Sequence, residues 1–344
     1  MENVTIKHRQ HYVFQAYLKS WVRNNQIWCA RNKENIFAAN TVNVAQERDF
    51  YRIKDINNDE MRFLSLIWKK QPQETEEILQ KQLSITQKPL QWKSTVESLK
   101  QAMKNSIYAG KDMPQTILDQ FDYAEKFIES VVNDMIEDIY SEEEARFMEY
   151  IELLKSKDIT FYTSPYVPKN QLFDNTKREF LYLLILQHFR TKAMRQRWIK
   201  SGEDILKSGI CEVLGINSKN LRLEHLSHHV FWLAESLVAD VLHDKNAHIT
   251  LLCNDTSFPF ITTDQPVINL CANYQDPTDE VTEMVYYYPL SPKLAITVND
   301  NNSVDMMELT DEQVKAYNEK LIDASYEFVF ADSEETICGY CIKK

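Results

Sequence analysis

The chain has 344 residues, of which 44% are hydrophobic and 26% are charged, and its formal net charge is −12. These proportions are typical of a globular protein with a sizeable core, and they argue against long disordered stretches. The longest apolar run, Phe180–Leu186, is far shorter than the roughly 20 residues of a membrane-spanning helix, and the N-terminus lacks the apolar stretch of a secretory signal.

The first predicted elements are a helix and a strand hairpin. Apolar residues recur at helical spacing over Tyr12–Trp21. Gln26–Ala30 and Asn35–Asn40 then have the composition of short strands joined by a turn. Glu47–Tyr51 is less clearly extended, so residues 1–58 are interpreted as an N-terminal section of helix and strands.

Residues 59–245 are predicted to form a helical body. Pro89 and Pro114 interrupt the first helical pattern, and Ser84–Thr86 is interpreted as a linker. Ser141 followed by Glu144 fits a capping box, which predicts that a new helix begins there. Further along, a cap at Asn175 or Thr176 predicts one long helix through Trp198, and Leu221–Leu242 is predicted to form another.

Residues 246–344 change to strands and a helix. Thr310 with Gln313 predicts the start of a helix through Asp323. The predicted strands are Ile249–Cys253, Phe260–Thr262, Pro266–Leu270, Val285–Tyr288, Leu294–Val298 and Tyr326–Phe330. The fold class is therefore α+β, a single mixed domain over residues 1–344 whose small sheet is built from N-terminal and C-terminal strands.

The charge is unevenly distributed along the chain. Residues 1–54 carry nine Lys or Arg against four Asp or Glu, and residues 177–200 carry seven against one, within an otherwise acidic chain. One interpretation is a mixed, solvated surface. The other is that the two basic segments fold together into a pocket for a phosphate or a nucleic-acid backbone.

Several common sites are missing from the sequence. It has only five glycines and no G-x-G-x-x-G, G-x-x-x-x-G-K or G-x-S-x-G pattern, which argues against nucleotide-binding loops and a serine nucleophile elbow. Cys338 and Cys341 lie too close to the C-terminus for a redox helix, and no second pair completes a zinc site. The six scattered cysteines are typical of a reducing compartment, so we expect a cytoplasmic protein without a membrane partner.

Two N-terminal groups are candidates for chemistry. His11 could act as a general base, with His8 and Gln15 contacting substrate; alternatively, the histidines cap the helix start. Glu47 and Asp49 lie on one side of an extended chain and could bind Mg²⁺, or each could pair with a nearby arginine.

Two further groups follow in the second half. Gln187, Arg190, Thr191 and Arg195 could form an anion clamp, or Arg190 could form a buried bridge to Asp264. Asp264 itself could be a catalytic acid, a metal ligand or a cap before a proline. In each case we expect His11, Arg190 and Asp264 to converge.

Several short motifs resemble, in order and spacing, the uncharacterised bacterial family DUF4238. They are His11–Leu18 with His8 upstream, Asn43–Tyr51, Leu186–Thr191, Ile261–Val267, Tyr288–Pro292, and Ala324–Phe330 preceded by Asn318. Phe14 stands where family members have proline, which leaves the turn geometry there open.

The resemblance implies a shared fold and no established reaction, but a bacterial accessory role such as phage defence. We therefore retain two hypotheses. The first is a metal-dependent enzyme acting on phosphodiesters of a nucleic acid or nucleotide, with Mg²⁺ at Glu47, Asp49 and Asp264. The second is a non-catalytic sensor or protein-interaction module whose polar motifs are structural.

Overall fold

The computed structural model describes residues 4–276, 279, 281–300 and 304–341, which fall into two compact units. Unit 1 comprises Met1–Gln10, Glu47–Glu142 and Cys211–His229. Unit 2 comprises His11–Gln46, Glu143–Ile210 and Val230–Lys344.

Helices and short strands together confirm the α+β class. The helices of the described residues are α1 (Gln15–Leu18), α2 (Asn58–Trp68), α3 (Gln73–Asn105), α4 (Gln115–Lys155), α5 (Thr160–Thr163), α6 (Thr176–Phe189), α7 (Lys192–Lys207), α8 (Ile210–Val213), α9 (Leu223–Asp244), α10 (Asp311–Ala324) and α11 (Glu334–Cys341). The strands are β1 (Arg9–His11), β2 (Ile27–Arg31), β3 (Asn35–Ala39), β4 (Gln46–Arg48), β5 (His248–Cys253), β6 (Thr262–Thr263), β7 (Ile268–Asn269), β8 (Tyr286–Ser291), β9 (Leu294–Asn299), β10 (Met306–Glu308) and β11 (Phe328–Ala331).

A four-stranded sheet in unit 2 has the order β3-β2-β11-β6. The hairpin β2–β3 pairs Ile27 with Ala39, and β11 adds antiparallel to β2 with Phe328 opposite Arg31. The prediction of a sheet built from both ends of the chain is therefore confirmed. Its basis is the short continuous apolar runs of β2 and β11, which local sequence reveals.

A second sheet in unit 2 has the order β10-β5-β9-β8-β7. Its pairs are antiparallel except for β10, which runs parallel to β5. Sequence analysis missed β10 because its residues are largely exposed and carry no alternating pattern. A core cluster that includes Phe260, Ile261, Tyr287 and Leu321 packs α10 with these strands.

Unit 1 is mainly helical and contains α3 and the first part of α4, and these two long helices run through the predicted breaks. α3 continues through the proposed linker and through Pro89, so the break predicted there is wrong. α4 also continues through Ser141, whose hydroxyl donates to the carbonyl of Glu137 at 2.8 Å instead of capping a new helix. Apolar residues keep their helical spacing through both segments. The burial of these residues stabilises each helix by more than the local breaking signals destabilise it.

The helix predicted from residue 175 to 198 is divided in two. α6 ends at Phe189, and the Thr191 hydroxyl caps α7 by accepting the N–H of Met194 at 3.2 Å. Phe14, just before α1, has φ −70°, a value that proline also adopts, so the backbone angle at this position suits either residue.

Asn318 joins α10 to the chain before β6. Its Oδ1 accepts the N–H of Ile261 at 3.1 Å, and its Nδ2 donates to the carbonyl of Pro259 at 3.0 Å. We expect Asn318→Leu to lower the free energy of unfolding by roughly 3 kcal/mol, because the buried N–H of Ile261 and the part-buried carbonyl of Pro259 lose their partners. Denaturant unfolding will measure this, and Lys320→Leu, on an exposed position of the same helix, should change stability by less than about 0.5 kcal/mol. Equal losses in both variants would contradict the role of Asn318.

Candidate functional site

A buried arginine lies at the C-terminal end of α6 in unit 2. The side chain of Arg190 is fully buried, and its Nη2 donates to Glu144 Oε1 at 2.6 Å and to the main-chain carbonyl of His11 at 2.8 Å. The reason for its position is α6 itself, which is apolar on nearly every side and therefore buried all round. A guanidinium carried into such a core needs a carboxylate and carbonyls around it.

Two glutamates that interact with the charge of this arginine have raised pKa values, because burial disfavours their ionised forms. Burial raises the pKa of Glu144, although the charge of Arg190 opposes the rise. Burial also raises the pKa of Glu235 far above its ordinary value; the charge of Glu143 adds to this and Arg190 opposes it. Neither carboxyl oxygen of Glu235 has a hydrogen-bond partner among the described residues. Glu235 is thus a buried acid that favours its neutral form.

Stacked aromatic rings lie in the same region of unit 2. Tyr288 stacks on Tyr17 with ring centroids 4.9 Å apart and on Phe147 at 5.7 Å. Within the described chain, neither the Tyr288 hydroxyl nor Gln187 Oε1 has a hydrogen-bond partner. The space lined by Glu144, Phe147, Gln187 and Arg190 is too small to admit a water molecule. We call Arg190, Glu143, Glu144, Gln187, Glu235 and Tyr288 the Arg190 cluster.

Asp264 lies at a second polar centre of unit 2 and is fully buried. Its carboxylate accepts three consecutive main-chain N–H groups, from Tyr326 at 2.9 Å, Glu327 at 2.6 Å and Phe328 at 2.9 Å. Burial raises the pKa of this carboxyl to about 6, while the three N–H donors act in the opposite direction. The carboxylate therefore fixes the chain where it enters β11.

The neighbouring amide extends this second centre to α6 and α7. Gln265 Oε1 accepts the hydroxyl proton of Thr191, and Gln265 Nε2 donates to the carbonyl of His188 at 2.9 Å. Gln187, one residue earlier, donates from Nε2 to the carbonyl of Tyr12 at 3.4 Å. These side chains join main-chain segments that are distant in sequence.

The expected convergence is only partly formed. Arg190 pairs with Glu144, whereas Asp264 bonds to main-chain N–H groups, so the Arg190–Asp264 bridge that the sequence suggested is absent. His11 meets Arg190 through its carbonyl, not its ring. The ring lies 3.3 Å from the carbonyl of Val42 and beside the Gln15 amide. Arg195 is buried in α7.

The candidate metal ligands of the N-terminal segment belong to unit 1. His8 Nδ1 lies 2.6 Å from Asp49 Oδ1, so the histidine takes up one oxygen of this carboxylate. β4 ends at Arg48, and Asp49 has φ +55°, so the extended alternation that placed Glu47 and Asp49 on one side does not continue. No three His, Cys, Asp or Glu side chains of the described chain are arranged to hold a metal ion.

Basic residues of both segments form ion pairs with acidic residues of the same unit. These pairs take up charge that would otherwise be available to a phosphate, as expected of the mixed-surface interpretation. They include Arg31–Glu327 at 2.5 Å, Arg52–Glu129 at 2.5 Å, Arg178–Asp240 at 2.8 Å, Lys192–Glu327 at 3.2 Å and Arg23–Asp332.

Sequence analysis missed the carboxyl groups of the Arg190 cluster. Glu144 was interpreted as part of a helix cap, although the continuing apolar spacing after it was the better signal. Glu235 stands alone in the apolar stretch Phe231–Leu237, a pattern that indicates a buried acid.

Comparison with known proteins gives one match. The model of a family described as "Protein of unknown function (DUF4238)" matches residues 9–335. No curated protein and no solved structure matches the chain. No helix within the described part of the chain is both long enough and apolar enough to cross a membrane.

The raised pKa of Asp264 predicts how stability depends on pH. The native state keeps this proton up to about pH 6, whereas the unfolded chain loses it near pH 3.8. The stabilisation from this carboxyl is thus fully present below the unfolded pKa and is lost as the pH rises through about 6. We expect the stability difference between wild type and Asp264→Asn to fall by roughly 1.4 kcal/mol per pH unit between about pH 4 and 6. Urea unfolding across this range will measure it, and a difference that grows with pH would contradict the raised pKa.

Proposed function

Since this chain belongs to the DUF4238 family, from which no activity follows, we propose a role from its own geometry. That role is a non-catalytic sensor or interaction module whose polar motif residues hold the fold. Its partner would be a small ligand or another protein.

The observation that carries this proposal is the carboxylate of Asp264. A catalytic acid or metal ligand needs a lone pair within reach of substrate or ion. Asp264 is fully buried, and its two oxygens accept three main-chain N–H groups. Such an arrangement suits a residue that fixes the backbone.

The other motif residues support the same role. Arg190 donates to the carbonyl of His11, Gln187 to that of Tyr12, and Thr191 to the side chain of Gln265. Each bond joins segments that are far apart in sequence, and each is buried. Residues of this kind specify one fold because leaving any of them unpaired costs free energy.

This structural role predicts a characteristic pattern of stabilities. We expect Arg190→Met and Glu144→Gln each to cost about 3 kcal/mol, because each removes one half of an ion pair whose guanidinium is fully buried. The double variant should lose at least about 1 kcal/mol less than the sum of the two. Denaturant unfolding of the four proteins gives this coupling.

The matched control pairs Arg190→Met with Asp264→Asn. Arg190 and Asp264 have different partners, so their losses should add to within about 0.5 kcal/mol. Additive losses for Arg190 and Glu144, or strong coupling of Arg190 with Asp264, would contradict the assigned contacts.

A second function is favoured by one observation in the Arg190 cluster. Burial raises the pKa of Glu235, so this acid favours its protonated form, and the charge of Arg190 opposes the rise. Neither of its oxygens has a hydrogen-bond partner within the described residues. An acid with a raised pKa and an arginine are groups that an enzyme acting on phosphodiesters of a nucleic acid or nucleotide can use, and phage defence is one biological setting for such an enzyme.

A cleavage panel distinguishes the two functions. Purified protein is offered single- and double-stranded DNA, RNA, tRNA and free nucleotides with Mg²⁺ or Mn²⁺, beside Glu235→Gln, His11→Ala and Asp264→Ala. The sensor role predicts no turnover by wild type above the level of these variants. Turnover that folded Glu235→Gln loses would establish the enzyme and overturn the non-catalytic role.

A further inference from the structure

A pocket of about 380 Å³ in unit 2 adjoins the second polar centre through His188. The end of α6, together with α7 and α9, forms one wall, and the segment around β7 and β8 forms the other. Aromatic side chains dominate the lining: Phe189, Trp198, Phe231, Tyr274 and Tyr286. Small-molecule sites have this size and this apolar character.

The side chain of His188 offers one hydrogen-bond acceptor, Nε2, at this pocket. His188, 6% exposed, lines the pocket, and its Nδ1 lies 2.8 Å from the carbonyl of Val267. The two amide protons of Gln265 already go to the carbonyls of Val267 and His188, at 2.8 and 2.9 Å. Nδ1 must therefore carry the ring proton and donate it, which leaves Nε2 as an acceptor.

This acceptor has no partner and stays uncharged. No hydrogen bond joins Nε2 to any residue that the structure describes. Burial lowers the pKa of His188 to about 4, so the ring is neutral near pH 7. His188 lines the pocket, so a ligand bearing an N–H or O–H group can donate to this acceptor.

Two other polar side chains of the lining, Arg197 and Asn269, are already engaged. The Arg197 guanidinium lies over the Tyr274 ring at 4.6 Å and donates to the carbonyl of Ala324. Asn269 accepts from the N–H groups of Cys271 and Val285 and donates to the carbonyl of Glu283. The charge of the half-buried Arg197 disfavours a cation, and the charge of Asp276 at the same pocket disfavours an anion.

The ring geometry indicates the shape of the occupant. The rings of Phe189 and Phe231 lie 5.7 Å apart, and His188 meets Tyr286 edge-on at 5.3 Å. Flat aromatic molecules pack well on such faces and edges. A cavity of about 150 Å³ holds benzene, so this pocket has room for two fused rings.

We propose that this pocket binds a neutral, two-ring aromatic ligand whose N–H or O–H donates to His188 Nε2. The inference rests on the proposed binding role and names the ligand class for it.

Indole and benzothiophene test the proposal, because they match in shape and only indole has an N–H donor. Isothermal titration calorimetry on the full chain should show saturable binding of both, with indole about three- to tenfold tighter. His188→Asn keeps a donor near Val267 but lacks the Nε2 acceptor, so it should bind the two probes equally. Its benzothiophene affinity should match that of wild type.

Two leucine substitutions locate the site. Ala234→Leu fills the pocket wall and should weaken both probes at least tenfold, whereas Ala145→Leu, on an exposed position of α4, should leave binding unchanged. Absence of saturable binding by wild type, or binding that Ala234→Leu leaves intact, would overturn the proposal. Such an outcome leaves the non-catalytic role standing, since that role fails only through turnover in the cleavage panel.

Discussion

The burial of one positive charge constrains much of unit 2. Because α6 is apolar around nearly its whole circumference, its last turn carries Arg190 into a region that water does not enter. A buried guanidinium is tolerated only with a counter-charge and acceptors in fixed places. Glu144 and the carbonyl of His11 supply these, so α4, α6 and the segment before α1 are held in one arrangement.

Asp264 also constrains unit 2, because its buried carboxylate requires hydrogen-bond donors in fixed places. Three consecutive N–H groups point at one carboxylate only when the chain of residues 326–328 takes one conformation, and that chain continues directly into β11. Since β11 joins the hairpin β2–β3 to β6, the position of this carboxylate bears on the whole four-stranded sheet. Motif residues that look catalytic in sequence can thus be explained by the backbone groups they satisfy.

Local signals predicted what local interactions determine. The hairpin β2–β3 and the strand β11 follow from short apolar runs. The start of α10 follows from the Thr310–Gln313 capping box, in which side chains bond to nearby main chain. The continuity of α3 through Pro89 and of α4 through Ser141 did not follow, because packing of the apolar face decides it. Nor could sequence choose the partner of Arg190. Residues 119–158 offer thirteen acids, and only the tertiary fold selects Glu144 among them.

The polar centres and the aromatic pocket meet at one turn of the chain. His188 and Arg190 are two residues apart at the end of α6, and Thr191 opens α7. Gln265, next to Asp264, bonds to the carbonyl of His188 and to the hydroxyl of Thr191, so it holds both ends of this turn. The carbonyl of Val267, together with the Gln265 amide, fixes the tautomer and the direction of the His188 ring. A binding module gains most from such an arrangement, because an acceptor that is already oriented need not be ordered when the ligand arrives.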